Sequence, residues 1–182
     1  MRFTVSPLSS LVAVLLTVAG NAVHAADCPA WLDQDMPRLR SSETINLCDR
    51  YAGQPMLLVN TASHCGYTPQ FKGLEALNKT YREKGLIVVG FPSDAFRQEA
   101  DDEAETAEVC FVNYGVTFDM TGVIDVKGAR AHPIFAELAR QTAAPAWNFN
   151  KYLVDRDGHV QHFGSNVTPE SEELRKAIEQ AL

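Results

Sequence analysis

The chain has 182 residues, 46% of them hydrophobic and 21% charged, with four cysteines and a formal charge of −7. That length holds one ordinary domain with a full core. The acidic balance argues against nucleic acid as a partner and does not choose a substrate.

Arg2, the apolar run over residues 11–19 and the small residues of Val23-His24-Ala25 read as a secretory signal peptide cut after about Ala25. The run is short for a membrane span, and no later segment is long and apolar enough to be one. Residues 1–25 are therefore expected to leave, and 26–182 to form the mature domain with no stable membrane insertion. Losing Arg2 takes the charge from −7 to −8. Export, to the periplasm in a bacterium, means an oxidising compartment where disulfides persist. The cysteines Cys28, Cys48, Cys65 and Cys110 allow three pairings. The expected bridge is Cys28–Cys48, which would close the N-terminal segment onto the domain and leave Cys65 and Cys110 for chemistry.

Residues 26–55 read as loop-rich, with a short strand within 41–47 and a turn at Ala52-Gly53-Gln54-Pro55. Residues 56–60 are apolar enough for a central strand. The next apolar-periodic stretch carries Phe71, Leu74, Leu77 and Tyr81 on one helical face, with Pro69 suited to its first turn and Gly85 to its end. Cys65 lies just before it, where helix amides favour a thiolate over a thiol. Residues 86–91 form a second buried strand, parallel to the first in a βαβ unit. A loop over 92–99 leads into an acidic helix running to about Asn113, with Cys110 in its last part. Residues 114–130 read as irregular. His132-Pro133 opens a short helix with Ile134, Phe135 and Leu138 inward.

After a linker over 142–145, strands at 149–154 and 159–163 flank the turn Asp155-Arg156-Asp157-Gly158. Thr168-Pro169 is expected to cap a last helix with Leu174, Ala177, Ile178 and Ala181 on one stripe. The order βαβ, helical insert, ββα predicts an α/β, thioredoxin-like fold: a central mixed β-sheet flanked by helices.

A disulfide oxidoreductase of this fold would carry Cys-x-x-Cys, but Thr68 occupies the second position. A lone thiolate suits attack on a peroxide oxygen, giving a sulfenic acid that a second thiol must rescue. The stretches Asn60-Thr61-Ala62-Ser63-His64-Cys65-Gly66-Tyr67-Thr68-Pro69-Gln70, Gly90-Phe91-Pro92, Gln98-Glu99, Asn113-Tyr114-Gly115-Val116, Ala131-His132-Pro133 and Trp147-Asn148-Phe149-Asn150-Lys151 stand in one order along the chain. From about Leu47 onward the chain resembles the glutathione peroxidase family.

The resemblance implies a catalytic tetrad of Cys65, Gln98, Trp147 and Asn148, with Cys65 peroxidatic. Amide and indole N–H groups can donate to a thiolate and to peroxide oxygens. It also implies that Cys110, in Cys-Phe-Val-Asn-Tyr-Gly-Val, is the resolving cysteine of the thioredoxin-dependent branch. The expected substrates are hydrogen peroxide and organic hydroperoxides, and the expected reductant a thioredoxin-like protein or glutathione. The loop departs from the family pattern: Ser93 replaces a cysteine, Asp94 and Ala95 replace Asn-Gln, and one residue is missing before Gln98. The short segment from Pro133 to Trp147 implies a monomer, and the lack of a basic cluster leans toward a protein reductant.

No cofactor or metal is expected, because His132, His159 and His162 are not spaced with cysteines as ligands would be. His64 is expected on the surface rather than as a general base. The alternatives are a peroxide sensor or disulfide relay that passes oxidation to a client protein, and a binding module with an inert Cys65.

Overall fold

Strand β3 (Met56–Thr61) is buried along its whole length because every residue before Asn60 is apolar and both faces are covered. The computed structural model describes residues 28–182 together with Met1, so the rest of the expected leader lies outside the described residues. Ahead of β3, a two-stranded ribbon pairs β1 (Asp35–Pro37) antiparallel with β2 (Thr44–Asn46). The short helix α1 (Leu47–Tyr51) follows, its first amides capped by the Asn46 side chain. The sequence signal gave only the second strand of this ribbon and missed α1.

Helix α2 (Gln70–Tyr81) follows β3, then a 3₁₀ turn over Arg82–Lys84 ends at Gly85, whose φ of 103° only glycine adopts readily. Strand β4 (Ile87–Pro92) pairs parallel with β3 from Met56↔Ile87 to Thr61↔Pro92. Helix α3 (Glu103–Ala107), capped by Asp102, widens into a π-helical segment over Glu108–Asn113 that carries Cys110. Within the stretch expected to be irregular lies a two-residue strand, β5 (Asp119–Met120), parallel to β4. Helix α4 (Pro133–Gln141) begins at a proline and is capped by His132.

The hairpin of β6 (Lys151–Val154) and β7 (Val160–Phe163) completes a sheet of order β5-β4-β3-β6-β7, with β6 antiparallel to β3. This is the mixed sheet of the thioredoxin topology. Helix α5 (Glu172–Ala181) closes the chain, but its cap is Ser171 and not Thr168, whose carbonyl instead accepts the Ser171 amide in a preceding turn.

The period-two alternation of β3 divides the core into two layers. Leu57 and Val59 face α2 and α5 through Phe71, Leu74, Leu174 and Ile178, in the layer that also holds Cys65 and Cys110. Met56 and Leu58 face α4 and the N-terminal segment through Phe135, Leu138, Leu32 and Leu47. A disulfide joins Cys28 to Cys48 with Cα atoms 5.6 Å apart, tying that segment to α1. The bridge spans 20 residues, so opening it should remove about 3 kcal/mol, mainly through unfolded-state entropy. A double Cys28→Ala, Cys48→Ala variant is expected to unfold at a correspondingly lower urea concentration, and an unchanged midpoint would refute that account.

Candidate active site

The parallel pair β3–β4 ends at Thr61 and Pro92, so the loops that follow converge at one end of the sheet. Residues 62–69 follow β3 as a run of turns, and α2 begins at Gln70 with Pro69 as its N-cap, one residue later than a start at Pro69. Thr68 holds those turns. Its hydroxyl accepts the Cys65 amide at 3.0 Å and donates to the Ala62 carbonyl at 2.8 Å. The place where a disulfide oxidoreductase has its second cysteine is thus filled by a hydroxyl that shapes the loop.

Cys65 is 7% exposed, and the Tyr67 amide donates to its Sγ at 3.4 Å. It opens into a cleft of ≈ 520 Å³ lined on one side by Ser63, His64 and Lys72 and on the other by Val109, Asn113 and Tyr114. The second wall is the π-helical segment that carries Cys110. Cys110 itself is only 1% exposed, and both thiols are free. Burial, and then the nearby Glu99 carboxylate, push its thiol up to about 12. It is therefore a poor nucleophile while this segment stays docked.

Glu99 links the Cys65 loop to the helix that leads to Cys110. It accepts from the Ser63 hydroxyl, from the Ala100 amide at 2.9 Å and from the Thr106 hydroxyl at 3.0 Å. The shortened loop before it closes as a tight turn: the Arg97 amide donates to the Asp94 carbonyl, and Arg97 takes a left-handed φ of 58°. That turn presents Gln98. The Gln98 carbonyl accepts the His64 amide at 2.8 Å, and its side-chain Oε1 accepts the Asn148 amide at 3.0 Å. The missing residue has thus not displaced Gln98 from Asn148.

Gln98 and Asn148 are in direct contact, and Trp147 precedes Asn148 in the chain. Trp147 is 40% exposed, tilted against Phe96 with ring centroids 5.2 Å apart, and the Lys127 ammonium sits 3.8 Å over Phe96. Among the described residues, the hydrogen bond to Cys65 Sγ comes from the Tyr67 amide, while the Asn148 N–H is engaged by Gln98. His64 is exposed and pairs with Glu105 at 3.2 Å, which suits a surface residue.

Four buried polar residues that the sequence offered no role hold the stretch 147–149. The Trp147 carbonyl accepts from Asn60 Nδ2 at 3.0 Å and Asn150 Nδ2 at 2.8 Å. The Asn148 carbonyl accepts from Ser165 Oγ at 2.6 Å, and the Phe149 carbonyl from Lys151 Nζ at 2.8 Å. Phe149 has φ 60°, a conformation costing a bulky residue on the order of 1–3 kcal/mol. The available signal was the lysine and asparagines embedded among apolar strand residues.

Asp155, Asp157 and His159 offer three ligand atoms within 4.8 Å of one another. They sit in the β6–β7 turn, beyond Val154, which pairs with Met56 at the opposite end of β3 from Cys65. Asp155 already accepts from the amides of Asp157 and His159 there, so the cluster is a hairpin turn.

Residues 36–139 match the family model described as glutathione peroxidase. The chain belongs to the glutathione peroxidase family. Among its relatives, a glutathione peroxidase of Lactococcus lactis subsp. cremoris is 43% identical over 147 residues, covering 76% of this chain and 93% of that one. The glutathione peroxidase-like peroxiredoxin HYR1 of Saccharomyces cerevisiae is 41% identical over 141 residues, 74% and 86% of the two chains. The crystal structure of T. cruzi GPX1 superposes with a TM-score of 0.65 at 24% identity, covering 83% of this chain and 95% of that one, which speaks for the fold. As a member of the glutathione peroxidase family, the chain is a thiol peroxidase. No helix among its described residues is long and apolar enough to cross a membrane.

Proposed function

We propose that this glutathione peroxidase family member is an exported two-cysteine peroxidase, with Cys65 peroxidatic and Cys110 resolving. The Cys65 thiolate attacks the terminal oxygen of hydrogen peroxide or an organic hydroperoxide. The O–O bond breaks, water or an alcohol leaves after taking up a proton, and Cys65 becomes a sulfenic acid. The Cys110 thiolate then attacks that sulfur, expelling hydroxide and forming a Cys65–Cys110 disulfide. A thioredoxin-like dithiol protein, or glutathione, reduces the disulfide by exchange. Gln98, Asn148 and Trp147 supply N–H groups to the oxygens and to sulfur as charge develops. Export is supported by the leader pattern and by the Cys28–Cys48 bridge.

The observation that carries this reading is the cleft itself: one wall bears Cys65 and the other is the segment that bears Cys110. The burial of Cys110 favours a second reading, a slow relay that hands its disulfide to a client protein, since resolution must wait for that segment to open. Peroxide consumption by the mature protein, with thioredoxin or glutathione, separates the two. Fast turnover with thioredoxin that is lost in Cys110→Ser is the expected result. Glutathione turnover that survives Cys110→Ser would make Cys110 structural. Stoichiometric oxidation without turnover would favour the relay.

A further inference from the structure

Lys151 is fully buried in β6, between Val59 of β3 and Phe163 of β7. Among the described residues its Nζ donates to the Phe149 carbonyl, two residues back, at 2.8 Å. A buried amine is costly, and a methionine would fill the same space without that cost. Glu170 supplies the charge that acts on it, and Gly73 of α2 leaves the space that Glu170 occupies. What the lysine alone contributes is a donor at Phe149.

Phe149 needs such a donor. Its backbone is left-handed while its ring is locked in the core, edge-on to Phe71 at 5.2 Å. Its amide is fixed to the Asn60 carbonyl at 2.6 Å. The peptide between Phe149 and Asn150 is gripped on both sides, its N–H by Asn60 Oδ1 at 3.0 Å and its carbonyl by Lys151, so with the ring also locked it cannot rotate to relieve the unfavourable φ. The direction in which the chain delivers Asn148 and Trp147 follows from that. Asn60, Asn150 and Ser165 fasten the two preceding carbonyls, but each is neutral and inexpensive to bury once bonded.

We infer that Lys151 is a positioning residue of the peroxidatic site, its buried amine holding Phe149 in the left-handed conformation that aims Asn148 at Gln98 and the Cys65 loop. The inference rests on the proposed role of Asn148 and acts through the backbone that carries it.

Lys151→Met keeps the apolar stem and removes the donor. Lys151→Gln keeps a donor on a stem one atom shorter. Oxidation of Cys65 by hydrogen peroxide, quenched by alkylation and read by mass spectrometry, is expected to slow at least about tenfold in Lys151→Met and less in Lys151→Gln. The urea midpoint of Lys151→Met is expected to hold or rise. In a Trp31→Phe background, where Trp147 is the sole indole, its emission maximum should shift in Lys151→Met.

A rate within twofold of wild type in a folded Lys151→Met overturns the inference. So does a loss of rate that is equal in both variants and tracks a falling midpoint, since that marks a structural residue. Should Lys151→Met not fold, Lys151→Gln and Ser165→Ala decide: each is expected to lose at least threefold, and wild-type rates in both overturn the inference. Asn148→Ala run in parallel distinguishes the levels. If it does not slow oxidation, the site reading falls; if it does and the Lys151 variants do not, the positioning role alone falls.

Discussion

Cys65→Ser is expected to bring peroxide consumption to the uncatalysed background, a loss of at least about 10⁴-fold. A serine hydroxyl does not ionise at working pH and forms no sulfenic acid, so no cycle can start. The surroundings should tolerate the change. Cys65 sits at the rim of its core layer, and its loop is held by Thr68 and by the Gln98–His64 backbone bond, neither of which uses sulfur. Far-ultraviolet circular dichroism and the urea midpoint should stay close to wild type.

Cys110→Ser is the informative contrast. It should consume about one equivalent of peroxide at the wild-type rate and then stall, with a sulfenic acid that a 1,3-diketone traps on Cys65. Peroxide turnover that persists in Cys65→Ser would remove this cysteine from the chemistry and sink the mechanism.

Much of this site was legible in the sequence, for definite reasons. Residues 56–59 and 86–91 are apolar runs that only a sheet covered on both faces can bury. Phe71, Leu74, Leu77 and Tyr81 fall on one helical stripe, and the Asp155–Gly158 turn fixes the last hairpin. These place Cys65 just past the end of the first parallel strand. The two-residue strand β5 escaped because its two partners, Val89 and Gly90, belong to another element and leave no period in residues 119–120. The widening of α3 into a π-helical segment escaped too, since i→i+5 bonding, as from the Tyr114 amide to the Val109 carbonyl, leaves no distinct period in the sequence. The clamp around Phe149 was hidden more deeply. Asn60, Asn150 and Lys151 fall within the expected strands and Ser165 just beyond the last one, but a sequence does not say which carbonyls such side chains meet, and only the folded chain turns all four inward.

The stability of Lys151→Met relative to wild type should depend steeply on pH. Burial drives the Lys151 amine down from 10.5 to about 7, with Glu170 pulling partly the other way. Between those two values the unfolded chain binds a proton that the folded chain does not. Wild-type stability therefore rises with pH across this window by up to about 1.4 kcal/mol per pH unit, while the variant lacks this contribution. Below pH 7 both states of the wild type hold the proton and the difference is flat. By pH 9 the wild type should have gained about 3 kcal/mol on Lys151→Met.

Other groups act against the trend in both proteins. The Cys110 thiol and the Tyr51 hydroxyl are each held up to about 12 by burial, so the unfolded state loses their protons first and stability falls as pH climbs past about 9. Those contributions cancel when the two proteins are subtracted at each pH. Urea unfolding of both from pH 6 to 9 measures the difference, and a flat line would mean that the amine keeps its ordinary affinity for protons. Because a neutral amine still carries N–H groups, the bond to Phe149 survives deprotonation. The rate of Cys65 oxidation should then show no loss as Lys151 titrates, which separates what the amine costs the fold from what its donor does for the site.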